Sequence, residues 1–370
     1  MNTSVTLCVG TEFQPITDVQ CLITRIGGGS IIAVSFLSIL FNFRYLYWLY
    51  FHRDNLSRSN FFLFSIIFSS FVVIFTIVPS VILQCLGCSR LCSIFYCQFE
   101  GFISYLNGCV HMFMLMMISI IRYNLVLHTN STKSCFHRYS SILVVICWLF
   151  ALIFAILPLL NWNKYIPEGL GFHCGLNWFD QSINSRLYLI SAFLFVYIIP
   201  LMVLFIVNTY VYHVIHRLFH RASEPFASIS TFLDDRHVSL LTSSHPSITR
   251  IHINQPTKTM HTTDPIQLRY ILQLDRLRAD RRFALATIFL VSEYLLSWTP
   301  YACVALLYLL NMRVIIEQPL FITICAFIAK ISMIINPFIY LVTIKTTQWK
   351  ILLFWIKCPC QNCRCRQAMR

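Results

Sequence analysis

The 370-residue chain is 57% hydrophobic and only 11% charged, with a mean hydropathy of +0.69. Soluble domains are nearer a quarter charged, so the composition excludes a soluble fold and predicts an integral membrane protein. The net charge of +14 points to no nucleic-acid partner, because its sources are distributed by side of the membrane, as the chain order shows.

The first 26 residues contain no apolar h-region, so no cleavable signal peptide is read there and the first span is expected to be its own insertion signal. Asn2-Thr-Ser4 is a glycosylation sequon, a short pattern that recurs by chance. Apolar runs follow at 27–50, 60–84, 97–121, 140–161, 187–213, 283–309 and 320–343. Each is near the ~20 residues that a helix needs to cross ~30 Å of hydrocarbon. Seven spans put the termini on opposite sides. Outside the spans, 21 Lys and Arg fall on the C-terminal side: Arg53 and Arg58; Arg122, Lys133 and Arg138; ten in 214–282; and six after residue 344. Five fall on the other side: Arg25, Arg90, Lys164, Arg186 and Arg313. Positive charge marks the cytoplasmic face, so the N terminus is expected outside and the C terminus in the cytoplasm of a multi-pass plasma-membrane protein. Anionic lipid headgroups of the bilayer are the expected partners of the basic face.

This divides the chain into an outer N-terminal segment (1–26), a membrane domain (27–343) and a cytoplasmic tail (344–370). The long loop 214–282 is polar and Ser/Thr/His-rich and reads as largely disordered, except that 271–282 is charged at helical spacing and is expected to extend the sixth span. No internal repeat supports an inverted-repeat transporter.

The sixteen cysteines sort by location. Cys8, Cys21, Cys85, Cys88, Cys92, Cys97 and Cys174 are read as lying outside, where disulfides are permitted. Cys109, Cys147, Cys303 and Cys325 are read as buried in spans, as small apolar residues. Cys135 falls in a cytoplasmic loop. The tail motif Cys358-Pro-Cys-Gln-Asn-Cys-Arg-Cys365 could hold zinc. It follows a basic amphipathic stretch (345–357) close behind the last span, and that setting favours acylation, so Cys358 and Cys360 are palmitoylation candidates and no metal is assigned.

Lys330 stands alone in an apolar segment, about ten residues or roughly 15 Å from either end. A charged ammonium at that depth costs at least ~2.5 kcal/mol on insertion scales, so the residue is a functional candidate by default. A neutral amine condenses with an aldehyde; a structural ion pair with another helix is the alternative.

Several motifs resemble one family. Phe327-x-Ala-Lys-x-Ser332, followed by Asn336-Pro-Phe-Ile-Tyr340, is similar to the seventh helix of animal opsins. The third span matches too, with Cys97-Gln-Phe-Glu-Gly-Phe102 at its start and Arg122-Tyr123 at its end. The outer loop Asn161-Trp-Asn-Lys-Tyr-Ile-Pro-Glu-Gly169 and Cys174-Gly-Leu-Asn-Trp178 resembles the loop that caps retinal in opsins. Trp298-Thr-Pro300-Tyr301 and Pro200 fit the sixth and fifth spans. The resemblance runs from about Asn42 to Tyr340, loop 214–282 excepted.

The resemblance implies an all-α seven-transmembrane bundle with a short hairpin-like outer loop and a cytoplasmic amphipathic eighth helix. It implies 11-cis-retinal, covalently bound to Lys330 as a Schiff base. A protonated Schiff base needs a carboxylate within a few ångströms. Glu100 and Glu168 are the candidates: the first on a helix, three residues after Cys97, the second in the outer loop. Their alternatives are a headgroup-facing carboxylate and a solvated loop acid. Tyr105, Gly108, Cys109, Tyr197, Tyr294, Trp298 and Tyr301 fall at pocket positions, where ordinary packing is the plain alternative for each. The family pairing Cys97–Cys174 leaves five outer cysteines, so at least one is free or bonded between molecules. Arg122, Tyr123, Asp280, Asn336, Pro337 and Tyr340 match the family's G-protein switch, with heterotrimeric G protein as partner and with arrestin and a receptor kinase as further partners of loop 214–282 and the tail.

Departures stand beside the matches. Ile121 replaces the acid that usually precedes Arg-Tyr, Ser70 an aspartate and Asn208 a tyrosine, although Asp280 could still pair with Arg122. Glu293, in the sixth span, has no family counterpart. Three functions follow: a light-activated G-protein-coupled receptor, a retinal photoisomerase with eroded coupling, or a non-photic receptor in which Lys330 merely pairs with Glu100. The leading expectation is the light-sensing receptor, which is not an enzyme.

Overall fold

The computed structural model describes residues 6–8, 11–51, 60–127, 132–217, 265–310 and 318–344. Its elements are a β1–β2 hairpin (Thr6–Cys8, Thr11–Phe13), then α1 (Asp18–Phe51), α2 (Asn60–Thr76), α3 (Val78–Gly87), α4 (Ile94–Leu127) and α5 (Thr132–Ile156). A second hairpin, β3–β4 (Tyr165–Glu168, His173–Leu176), precedes α6 (Ile183–Ala192), α7 (199–217), α8 (Pro265–Leu309) and α9 (Pro319–Ile344). The helices form a seven-helix membrane bundle. Four spans are the single helices α1, α4, α5 and α8, and a fifth is the run Ile183–Arg217 from α6 to α7. The pair α2–α3 makes one further span, bent by 41°, and α9 completes the seven.

Proline sets the irregularities. Pro79 stands in the first turn of α3, where its missing N–H breaks the helical ladder and accounts for the bend. Pro158 closes the fourth span in a 3-10 turn, Leu157–Leu160. A π-helical stretch, Phe193–Ile198, joins α6 to α7 just before Pro200, a local widening that recurs at functional sites. Helix α1 begins at Asp18, ahead of the apolar run expected from residue 27. Helix α8 likewise starts at Pro265 and contains the charged stretch 271–282.

Helix α4 is the axis of the bundle. Two thirds of its membrane window is buried (67%), against 28–33% for the other single-helix spans and 17% for Ile183–Arg217. Its Met112, Met114 and Leu115 are buried and cluster with Phe62 of α2, while Phe36, Phe64, Phe75, Phe205 and Leu296 face outward, as lipid contact requires.

Because lipid gives apolar helices no reason to leave it for one another, packing and polar contacts hold the bundle. Ser38 Oγ donates to Ile334 O at 2.8 Å, and Ser70 Oγ to Met333 O at 2.6 Å, tying α1 and α2 to α9. Ser69 Oγ donates to Asn107 Oδ1, Trp148 Nε1 to Ser65 Oγ and Asn208 Nδ2 to Ser119 Oγ. Ser70 and Asn208, two departures from the family pattern, are therefore helix-joining residues here.

The end of the bundle that carries the hairpins is stapled. Cys97 bonds Cys174 and Cys21 bonds Cys88; Cys92 is disulfide-bonded as well. Cys85 is not in the outer loops as the sequence reading had it: it is a free thiol, fully buried at the end of α3. Cys303, expected to be buried, points outward from α8, since Val304 and Ala305 occupy the inward face beside it. Arg90 fastens the first hairpin to the second: Nε donates to Leu170 O at 2.7 Å, Nη2 to Gln14 O at 2.8 Å, and the guanidinium lies 4.9 Å from the Phe13 ring centre. The expected eighth helix, Cys358, Cys360, Asn2 and most of loop 214–282 fall outside the described residues.

The Cys97–Cys174 bridge spans 77 residues, a closure that constrains the unfolded chain by about 4 kcal/mol in the chain-entropy treatment. Cys97→Ala should lower the melting temperature of the purified protein by a clear margin. Folded protein carrying both thiols free by mass spectrometry would contradict the assignment.

Candidate functional site

Lys330 lies on the inward face of α9, four turns before its end. Its Nζ donates to Glu100 Oε1 at 2.8 Å and to Cys174 O at 3.3 Å. Glu100 is fully buried, and its other oxygen accepts the Cys174 N–H at 3.2 Å. One peptide of β4 thus serves both charges, its N–H the carboxylate and its carbonyl the ammonium. The disulfide puts it there, because Cys97 is one helical turn before Glu100 on α4 and is bonded to Cys174. Buried ions are tolerated only when paired and otherwise hydrogen-bonded, and this arrangement supplies both. Glu100 is therefore no headgroup-facing acid.

A largely apolar cavity opens beside Lys330. Tyr105, Gly108, Cys109, Tyr197, Tyr294, Trp298 and Tyr301 all line it, together with Glu168; Glu100 stands behind Lys330. Trp298 is held by its Nε1 donating to Ser332 Oγ at 2.9 Å, and its ring stacks on Tyr294 with centres 5.5 Å apart. Gly108 is a glycine for a reason: a Cβ there would come within 2.7 Å of the Trp298 ring. Ala302, Ala305, Ala326 and Ala329 form the wall on α8 and α9. Tyr197, from the π-helical stretch, hydrogen-bonds Thr299 at 3.0 Å.

Glu168 is not a solvated loop acid: it is 3% exposed, because the β3–β4 hairpin folds down over the cavity. Its Oε1 accepts from Tyr301 Oη at 2.7 Å and from Trp178 Nε1 at 3.1 Å, and Gly175 leaves it room. Burial pushes its carboxyl up to about 7, against the opposing pull of the Tyr301 hydrogen bond and the Lys330 charge. His173 faces it across the hairpin and is held well below the ordinary imidazole range by burial and by Lys330. The sequence reading missed His173 and Trp178; the one signal was their nearness to Cys174, in a loop already suspected of capping the cavity.

At the end of the bundle away from the hairpins Tyr123 packs on Tyr210 with ring centres 5.4 Å apart. The side chains of Arg122, Asp280, Asn336, Pro337 and Tyr340 lie outside the described set. Glu293 Oε1 accepts from Ser297 Oγ at 3.2 Å within α8, and its Oε2 is buried with no hydrogen-bond partner.

The two outer groups predict opposite pH effects. Between about 4.5 and 7 folded Glu168 keeps a proton that the unfolded chain has lost, so stability falls as pH rises through that window. Below 6.5 the unfolded chain protonates His173 while the folded chain does not, so stability rises as pH climbs to 6.5. The slopes offset each other between 4.5 and 6.5. Melting temperatures across that range should therefore rise with pH in Glu168→Gln and fall with pH in His173→Asn. Profiles identical to wild type in both variants would show that neither group is buried as described.

Residues 42–340 match the family described as 7 transmembrane receptor (rhodopsin family). Melanopsin-A of Gadus morhua is 27% identical over 282 residues, which is 76% of this chain and 44% of that protein. The long-wavelength rhodopsin of Apis mellifera is 24% identical over 282 residues, covering 76% and 65%. The rhodopsin of Leucoraja erinaceus is 28% identical over 251 residues, covering 67% and 57%. The chain thus spans roughly half to two thirds of the length of these relatives. The crystal structure of squid rhodopsin superposes with a TM-score of 0.70 at 22% identity, over 95% of this chain and 90% of that one, and shows the same fold. The chain belongs to the rhodopsin family of seven-transmembrane receptors, as a member of the animal opsin type.

Proposed function

We propose that the protein is a light-sensing receptor of the plasma membrane that carries retinal on Lys330 and activates a heterotrimeric G protein. The observation that carries this reading is the Lys330–Glu100 pair at 2.8 Å, set at the wall of an apolar cavity in the middle of the membrane. The residues fit the group: a lone amine for an aldehyde, a buried carboxylate for the resulting cation, and an aromatic and alanine-lined space for a polyene. Bound retinal supplies light absorption and the change from the 11-cis to the all-trans shape.

The protein's own residues do the rest. Lys330 provides the attachment atom. Glu100 neutralises the positive charge and keeps its proton in place, since an opposite charge close by in a low dielectric favours the charged form. The Cys174 peptide fixes both groups. Trp298, braced by Ser332 and seated against Gly108, is positioned to feel a change of shape in the cavity and to pass it along α8. The cytoplasmic ends of α4, α8 and α9 carry Arg122, Tyr123, Asp280, Asn336, Pro337 and Tyr340, the residues assigned to G-protein switching. Arrestin and receptor kinase are assigned to loop 214–282 and the tail, and the N terminus to the outer side. Ile121, half-buried against the α4 core, puts no acid beside Arg122, so raised activity in the dark is expected.

Protein purified and incubated with 11-cis-retinal in the dark should gain a visible absorbance band, and Lys330→Ala or Lys330→Arg should abolish it. No band in wild type would leave Lys330–Glu100 as the ion pair of a non-photic receptor. Guanine-nucleotide exchange on illumination separates signalling from simple photoisomerisation. Glu100→Gln should move the band into the ultraviolet at neutral pH, and Glu168→Gln should shift it only slightly. The reverse pattern would transfer the counter-ion role to Glu168.

A further inference from the structure

The outer hairpin contains a second buried acid–base pair, separate from the contacts around Lys330. Strand register sets Glu168 opposite His173, with His173 Nδ1 3.5 Å from Glu168 Oε2. His173 is 1% exposed, and neither of its ring nitrogens has a hydrogen-bond partner. Its ring rests against Phe327, with centres 5.4 Å apart. Tyr301 and Trp178 both donate to Glu168 Oε1, which leaves Oε2 and Nδ1 facing each other. The surrounding titratable groups restrict the possible charges. Lys330, from α9, is already matched by Glu100, from α4; Tyr301, from α8, offers only a neutral hydroxyl. A bare carboxylate at Glu168 would be a second anion beside Glu100, and an imidazolium at His173 would be a second cation beside Lys330. A buried polar nitrogen without a partner is costly, and one proton between the two residues would partner both Nδ1 and Oε2.

We infer that Glu168 and His173 hold a single proton between them, resting on the carboxyl with His173 Nδ1 as its acceptor, so that His173 is a positioning residue that sets the charge of Glu168 at the cavity wall. Transfer along that contact breaks the O–H bond, forms the N–H bond, and leaves a carboxylate and an imidazolium with no change in net charge. Burial supports the resting form, by raising Glu168 to about 7 and keeping His173 a weak base. The shared proton does not rest on the function proposed above.

The test uses the retinal-free full chain. Infrared titration should show the carbonyl stretch of a protonated carboxyl that Glu168→Gln removes, with a midpoint near neutrality. His173→Phe keeps the ring packing on Phe327 and removes the acceptor, so the midpoint should fall by roughly one pH unit, the equivalent of one hydrogen bond. His173→Asn, whose amide oxygen can stand where Nδ1 stands, should restore it. An unchanged or raised midpoint in His173→Phe overturns the inference. Should that variant fail to fold, the wild type decides: the His173 nitrogen resonance must shift in step with loss of the Glu168 carbonyl band, and independent titration overturns the inference. Pigment forming normally while these midpoints ignore His173 would sink the shared proton and leave the light-sensing function standing; absence of pigment with the midpoints as expected would do the opposite.

Discussion

A lysine in the middle of a membrane must be matched by an anion, and the organisation of this protein's outer half follows from how Lys330 is matched. Breaking a buried pair by removing one partner typically costs 3–5 kcal/mol, because the charge that remains is stranded. Glu100 alone would satisfy one donor and leave oxygens over. The Cys174 peptide completes the set by donating to Glu100 and accepting from Lys330. That peptide reaches hydrocarbon depth only because the hairpin carrying it is bonded to α4 through Cys97. Ion pair, disulfide and outer hairpin are thus one structural unit, and the cavity beneath is a consequence of it.

The two carboxylates near Lys330 illustrate how environment assigns roles. Glu100 touches the cation directly and accepts the Cys174 N–H with its other oxygen. Glu168, equally buried, touches only neutral donors and an imidazole, so its proton is worth keeping. Pairs of acids pushed apart in this way commonly divide labour, one permanently charged and the other conditionally so. Here the conditional one sits on the hairpin and the permanent one on the rigid central helix.

Away from the hairpin end the bundle departs from the family pattern without losing cohesion. Ser70 spends its hydroxyl on the Met333 carbonyl, and Asn208 reaches from α7 to Ser119 on α4. Short side chains bonded to a neighbouring helix hold those helices together without a charge in the membrane.

Much was legible in the sequence because membranes impose one-dimensional rules. Span length, charge asymmetry and the solitary Lys330 follow from the cost of polar groups in hydrocarbon, which any chain must respect residue by residue. Glu100 could be placed near Lys330 only through the resemblance to opsins whose counter-ion sits in that helix. Other features depend on how segments far apart in the chain meet. Glu168 reads as a loop acid until the hairpin folds down over the cavity; His173 and Trp178 become part of the site only through strand register and the Tyr301 contact. Cys85 and Cys88 are three residues apart, yet one is a buried thiol and the other a disulfide partner of Cys21, a difference set by which way α3 turns after the Pro79 bend. Composition determined that the chain crosses the membrane and carries a charge within it; only the tertiary structure decided which groups surround that charge, because burial and hydrogen bonding belong to neighbours in space and leave no period in the sequence.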